Sequence, residues 1–144
     1  MTNVLDILNR YNLRNTSIRR EMLTLFLETE YALSHHYIEK KLATQFDRVT
    51  LYRTLKSFEE KGLIHRIAND TDVIEYALCK EDCHEHDHKH SDEHAHFRCE
   101  KCTKTFCLEG VGIPDLHIPE GFKASTFQLL VTGICLKCGL KNEE

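Results

Sequence analysis

With 144 residues, 41% of them hydrophobic, the chain has material for one domain or two small ones, and no apolar run reaches the length of a membrane span. The net charge of −4 argues against a uniformly basic nucleic-acid binder. The opening Met-Thr-Asn-Val-Leu-Asp lacks signal-peptide character, and the seven cysteines are an odd number, so the expected setting is the cytoplasm, with thiols reduced and free to bind metal.

The charge is unevenly spread. Residues 1–78 hold 11 Lys and Arg against 11 Asp and Glu, while residues 79–144 hold 8 against 12. Two basic stretches without acids, Arg10 to Arg20 and Arg48 to Lys56, fall in the first part, and a local patch of this kind can bind phosphate whatever the total charge. Two parts with different partners are expected: residues 1–78, a hinge at 79–93, and residues 94–144.

In chain order, Val4, Leu5, Leu8 and Tyr11 share one face of a first helix. Asn15-Thr16-Ser17 offers N-caps for a second, with Ile18, Met22, Leu25 and Phe26 at helical spacing. Ser34 caps a third, which carries Tyr37, Ile38 and Leu42. The fourth runs from about Arg48 to Glu60, with Val49, Tyr52, Leu55 and Phe58 as its apolar face and Gly62 as its stop. Leu63–Ile67 and Val73–Leu78 then read as two strands joined by a turn. Helices followed by a two-stranded ribbon describe a winged helix-turn-helix, whose last helix before the wing enters the major groove. A small helical domain closed by a hairpin fits the same order.

Residues 79–93 are a solvated linker with histidines alternating at 84, 86, 88 and 90, a composition with metal affinity but no defined geometry. From His94 the chain reads His-Ala-His-Phe-Arg-Cys-Glu-Lys-Cys. Cys99 and Cys102 make half of a tetrahedral zinc site, and Cys135 and Cys138 the other half. Strands are expected at 94–99, 104–109 and 127–133, with a proline-containing loop at 112–121. The second part is then a small α/β domain built on a three-stranded sheet, and the whole chain is α+β.

These motifs together resemble the ferric uptake regulator family: Arg14-Asn-Thr16-Ser-Ile-Arg19 with Leu23, Thr50-Leu-Tyr52-Arg53-Thr-Leu55, His94-Ala-His96-Phe-Arg-Cys99-x2-Cys102, and Gly133-Ile-Cys135-x2-Cys138. The resemblance implies a metal-loaded transcriptional repressor, not an enzyme. Its partners would be double-stranded operator DNA and a second copy of the chain, through a C-terminal dimerisation domain. Arg14, Arg19, Thr50, Tyr52 and Arg53 would face DNA, and the four cysteines would hold structural zinc. Tyr52 also shares spacing with Val49 and Leu55, so core packing is the alternative for its ring.

Iron- and peroxide-type members place a histidine just before the third helix and a carboxylate near the end of the wing. Ala32 and Ala77 stand there. The chain is similar instead to the zinc uptake regulator branch, which implies a second, regulatory Zn2+ site of His65, Cys79, His94 and His96. One thiolate and three imidazoles suit zinc better than a hard, oxygen-preferring metal. His65 as a wing surface residue and Cys79 as a small buried one are the plainer readings. Cys107, where relatives carry a coordinating glutamate, reads as strand core or as a further ligand. Glu93, Ala95 and Phe127 occupy the positions of another site known in some relatives, which is expected to be absent. His35 and His36 are expected to be exposed first-turn residues. An iron- or peroxide-responsive regulator and a zinc-buffering protein are the rival functions.

Overall fold

The computed structural model describes residues 3–67, 72–78, 94–112, 114–125 and 127–141. The chain forms two compact units, residues 1–81 and 82–144.

The first unit contains α1 (Val4–Arg10), α2 (Ser17–Glu28), β1 (Leu33–Ser34), α3 (His35–Leu42), α4 (Arg48–Glu60), β2 (Ile64–Ile67) and β3 (Glu75–Leu78). All four helices start at a side chain that accepts a backbone N–H, as an N-cap must. Asn3 accepts from Leu5, Thr16 from Arg19, Ser34 from Tyr37 and Asp47 from Thr50. The bond from Thr50 also holds the Asp47 carboxyl below its usual range. Gly62, at φ +80, ends α4 in the left-handed conformation that glycine adopts without strain.

Two details differ from the sequence expectation. The wing sheet has three strands, ordered β1-β3-β2, because Leu33 and Ser34 pair with Tyr76 and Glu75. The physical reason is the cap itself. Ser34 must be extended (φ −82, ψ 161) to bond Tyr37, which leaves Leu33, fully buried, free to join the strand ladder. The second correction concerns α4, which buries Leu51, Thr54, Leu55 and Phe58 rather than the face containing Val49 and Tyr52. Those two residues are 55% and 47% exposed. The side chain of Thr54 tolerates burial because its hydroxyl donates to the Thr50 carbonyl at 2.8 Å. The core joins Leu8, Met22, Leu23, Ile38, Leu55 and Phe58.

The second unit contains β4 (His94–Cys99), β5 (Thr105–Gly112), β6 (Leu129–Gly133) and α5 (Leu136–Lys141). Its sheet has the order β5-β4-β6, antiparallel to β5 and parallel to β6. β5 runs further than the sequence suggests, and the short α5 has no cue beyond its few residues. Residues 114–125 carry no helix or strand. The pairing shifts between His94↔Gly112 and His96↔Cys107, and the extra residues lie on β5, while β4 keeps an unbroken register with β6.

Candidate metal centre and nucleic-acid interface

The register of the second sheet creates the cysteine site. Cys99 ends β4 directly beside Gly133 of β6, so Cys135 follows two residues beyond the shared end. Gly133 lets the strands close tightly there, since a Cβ would sit 3.2 Å from the Phe97 ring, which would have to give way. The tight turn after Cys99 returns through Thr103, whose N–H donates to the Cys99 carbonyl at 2.9 Å with φ at +63.

The sulfur atoms of Cys99, Cys102, Cys135 and Cys138 all lie within 4.8 Å of one another. Four sulfurs about 2.3 Å from a central zinc stand about 3.8 Å apart on a tetrahedron. The Cys102 and Cys135 sulfurs are 3.8 Å apart. Backbone N–H groups of Cys102 and Cys135 both donate to the Cys99 sulfur at 3.4 Å, an arrangement that favours thiolate. The Cys102 N–H chiefly lowers the Cys99 thiol to about 6, whereas burial pushes Cys138 up to about 12. A divalent cation at the centre reverses the second effect. The donor set therefore fits zinc, and Phe97 and Phe106 pack against it.

Strand alternation puts His96 on the opposite face of β4 from Cys99. His96 is buried, and in register it faces Cys107 of β5, which is half-buried. Directly opposed residues of antiparallel strands present their side chains on the same face. Cys107 thus belongs to the histidine face rather than to the Phe97–Phe106 side that packs on the cysteines. In the first unit His65 is 3% exposed, so it is no surface residue of the wing. It pairs across the sheet with Ala77. Ala77, Ala32 and Ile67 form a small buried apolar cluster. Cys79 and the His84–His90 tract lie outside the described residues, as does the side chain of His94.

The expected DNA-facing residues divide into two groups. Arg14, Arg19, Thr50 and Arg53 line one open cleft of about 550 Å³, together with the cap residue Thr16. Arg19 is held by bonds from its guanidinium to the Arg14 carbonyl at 3.0 Å and the Ser57 hydroxyl at 3.5 Å. A cleft lined by three arginines, beside the start of α2 and the first half of α4, suits a phosphate. Tyr52 is not in this cleft. It stacks on His35, with ring centroids 4.5 Å apart and planes at 26°. His35 was expected to be solvated. Instead it is half-buried and shares a 2.8 Å hydrogen bond with the Tyr76 hydroxyl, a contact no sequence spacing indicated.

Comparison with known proteins agrees with this architecture. The model of the ferric uptake regulator family matches residues 10–131. The ferric uptake regulation protein of Staphylococcus aureus is 26% identical over 138 residues, covering 93% of this chain and 94% of that protein. Among solved structures, a zinc uptake regulator complexed with zinc and DNA is similar at a TM-score of 0.65 and 20% identity, over 100% of both chains. A zinc-bound manganese uptake regulator gives 0.62 at 20% identity, over 94% of this chain and 100% of that one.

Proposed function

The chain belongs to the ferric uptake regulator family and is a metal-responsive, DNA-binding transcription regulator rather than an enzyme; from that membership we propose that the metal it answers to is zinc. The observation that carries the reading is the buried cluster of Ala32, Ala77 and Ile67. It fills with hydrocarbon the two positions at which iron-type relatives supply a histidine and a carboxylate. The remaining donors are His65, Cys79, His94 and His96, with Cys107 as a further thiol on the His96 face. Imidazole and thiolate together favour zinc over metals that prefer oxygen.

In this proposal His65 and Cys79 come from the DNA-reading half and its hinge, and His94 and His96 from the other half. One ion held by all four favours the domain arrangement that fits operator DNA. The coupling is reciprocal, so operator DNA tightens zinc binding by the same factor, typically about 5- to 150-fold. The guanidinium cleft of Arg14, Arg19 and Arg53 would hold backbone phosphate. Tyr52, at the exposed face of α4, would meet a thymine methyl in the major groove. The protein would act as a cytoplasmic homodimer. Support for the dimer comes from apolar side chains left exposed on the second unit, including Val131, Ile134, Leu136 and Leu140.

Operator binding titrated separately with zinc, iron and manganese tests the metal. Zinc is expected to give the strong response, and Cys79→Ala to abolish it while keeping one structural zinc per chain. A repressor that responds fully to iron and not to zinc refutes the proposal. The iron reading has the naming of the Staphylococcus aureus relative in its favour and the two buried alanines against it.

A further inference from the structure

His35 opens α3, one residue after the cap Ser34. Its ring lies against Tyr52 of α4 on one side and meets the Tyr76 ring edge-on, with centroids 5.1 Å apart, on the other. The β1–β3 pairing delivers Tyr76 to this place, since Leu33, two residues before His35, is its partner in register. Tyr76 is fixed in turn. It is 3% exposed, and the Arg66 guanidinium lies over its ring at 5.8 Å. Arg66 also pairs with Glu59 of α4 at 2.6 Å. The contacts close a circuit from Tyr52 through His35, Tyr76, Arg66 and Glu59 back to the same helix.

A ring needed only to fill space would be apolar and buried. This circuit instead restrains a tyrosine that is 47% exposed on a helix face not used by the core. We propose that His35 is a positioning residue for sequence reading: it stacks on Tyr52 and, anchored by the Tyr76 hydroxyl, holds the phenol ring in the orientation that meets the base edge. The inference rests on the proposed role of α4 in the major groove. Two χ angles of Tyr52 are then set before DNA arrives, and the ordering cost of an immobilised side chain does not fall on binding. It also links the wing to the reading helix, so a displacement of β3 reaches Tyr52 through one hydrogen bond.

The test is a double-mutant cycle with the zinc-loaded full chain and a duplex selected from random-sequence DNA by the wild-type protein. His35→Ala is expected to weaken binding of the selected duplex about 3- to 10-fold, with binding of unrelated DNA and structural zinc content unchanged. In a Tyr52→Ala background the same change is expected to have less than about a twofold effect. An equal loss in both backgrounds, or an equal loss on unrelated DNA, overturns the proposal. If Tyr52→Ala weakens binding while His35→Ala does not, the positioning role fails and the DNA-reading role of Tyr52 stands. If Tyr52→Ala itself binds as wild type, the DNA-reading role fails, and the positioning role with it. Where His35→Ala does not fold, His35→Leu fills the space without ring or hydrogen bond and takes its place in the cycle.

Discussion

Removing the metal from the four-cysteine site should unfold the second unit and leave the first intact. Among the described residues of the second unit, the buried apolar positions are Ala95 and three of the cysteines, Cys99, Cys135 and Cys138. No large aliphatic side chain there is fully buried, so area burial cannot offset the conformational entropy of the strands. Structural zinc in comparably small folds contributes about 10–16 kcal/mol at neutral pH. That matches or exceeds the whole net stability of a typical domain, about 5–15 kcal/mol. The first unit has its own core, with Leu8, Met22, Leu23 and Phe58 all within 1% of full burial. Amide hydrogen exchange read by fragment, with zinc content measured in parallel, separates the two. Chelation, or Cys135→Ser, is expected to collapse protection across β4, β5 and β6 while α2 and α4 keep theirs. Persistent protection of β4 in zinc-free protein would show that the sheet is held by something other than the metal, and the reasoning would fail.

Three further outcomes are expected. Arg53→Ala should weaken binding to all duplexes alike and reduce the slope of log affinity against log salt by about 0.9, the value of one phosphate contact, as measured by titration at several salt concentrations. Thr103→Gly should raise the stability of the zinc-loaded second unit by about 1 kcal/mol, because a β-branched residue at φ +63 is strained where glycine is not; no gain in denaturant midpoint would contradict this. Burial lowers the pKa of His35 below 6.5, and Arg66 adds to the effect while Glu39 and Glu59 oppose it. The unfolded chain then binds the proton first, so the contribution of this group is complete above about pH 6.5 and is lost as the pH falls through the folded value. His35→Gln should flatten the acid side of the first unit's stability profile.

The elements that were legible in the sequence are those with a chemical cause at a fixed spacing. The caps at Thr16 and Ser34 place two helix starts, and the paired Cys-x2-Cys spacing brings four sulfurs together. What was not legible depends on partners distant in sequence. The register of Leu33 against Tyr76 converts an expected two-stranded wing into three strands. Along α4, apolar periodicity suggested Val49 and Tyr52 as core, but a phase shifted by a fraction of a turn buries Leu51 and Thr54 instead. Thr54 hides the true phase, since a threonine that bonds its own helix counts as polar in sequence and packs as apolar in the fold. The opposition of His96 and Cys107 needed the strand register.

The cluster of Ala32, Ala77 and Ile67 bears on how metal preference can change by mutation. A histidine introduced alone at position 32 would have to expand a site that is 7% exposed, and a carboxylate introduced alone at position 77 would be a charge in a site that is 8% exposed. Either single step costs stability, and a carboxylate at 77 would also stand beside His65, its partner across the sheet. On the proposed zinc reading, the Ala32–Ala77–Ile67 cluster would oppose a change of ligand set through packing as well as through coordination chemistry.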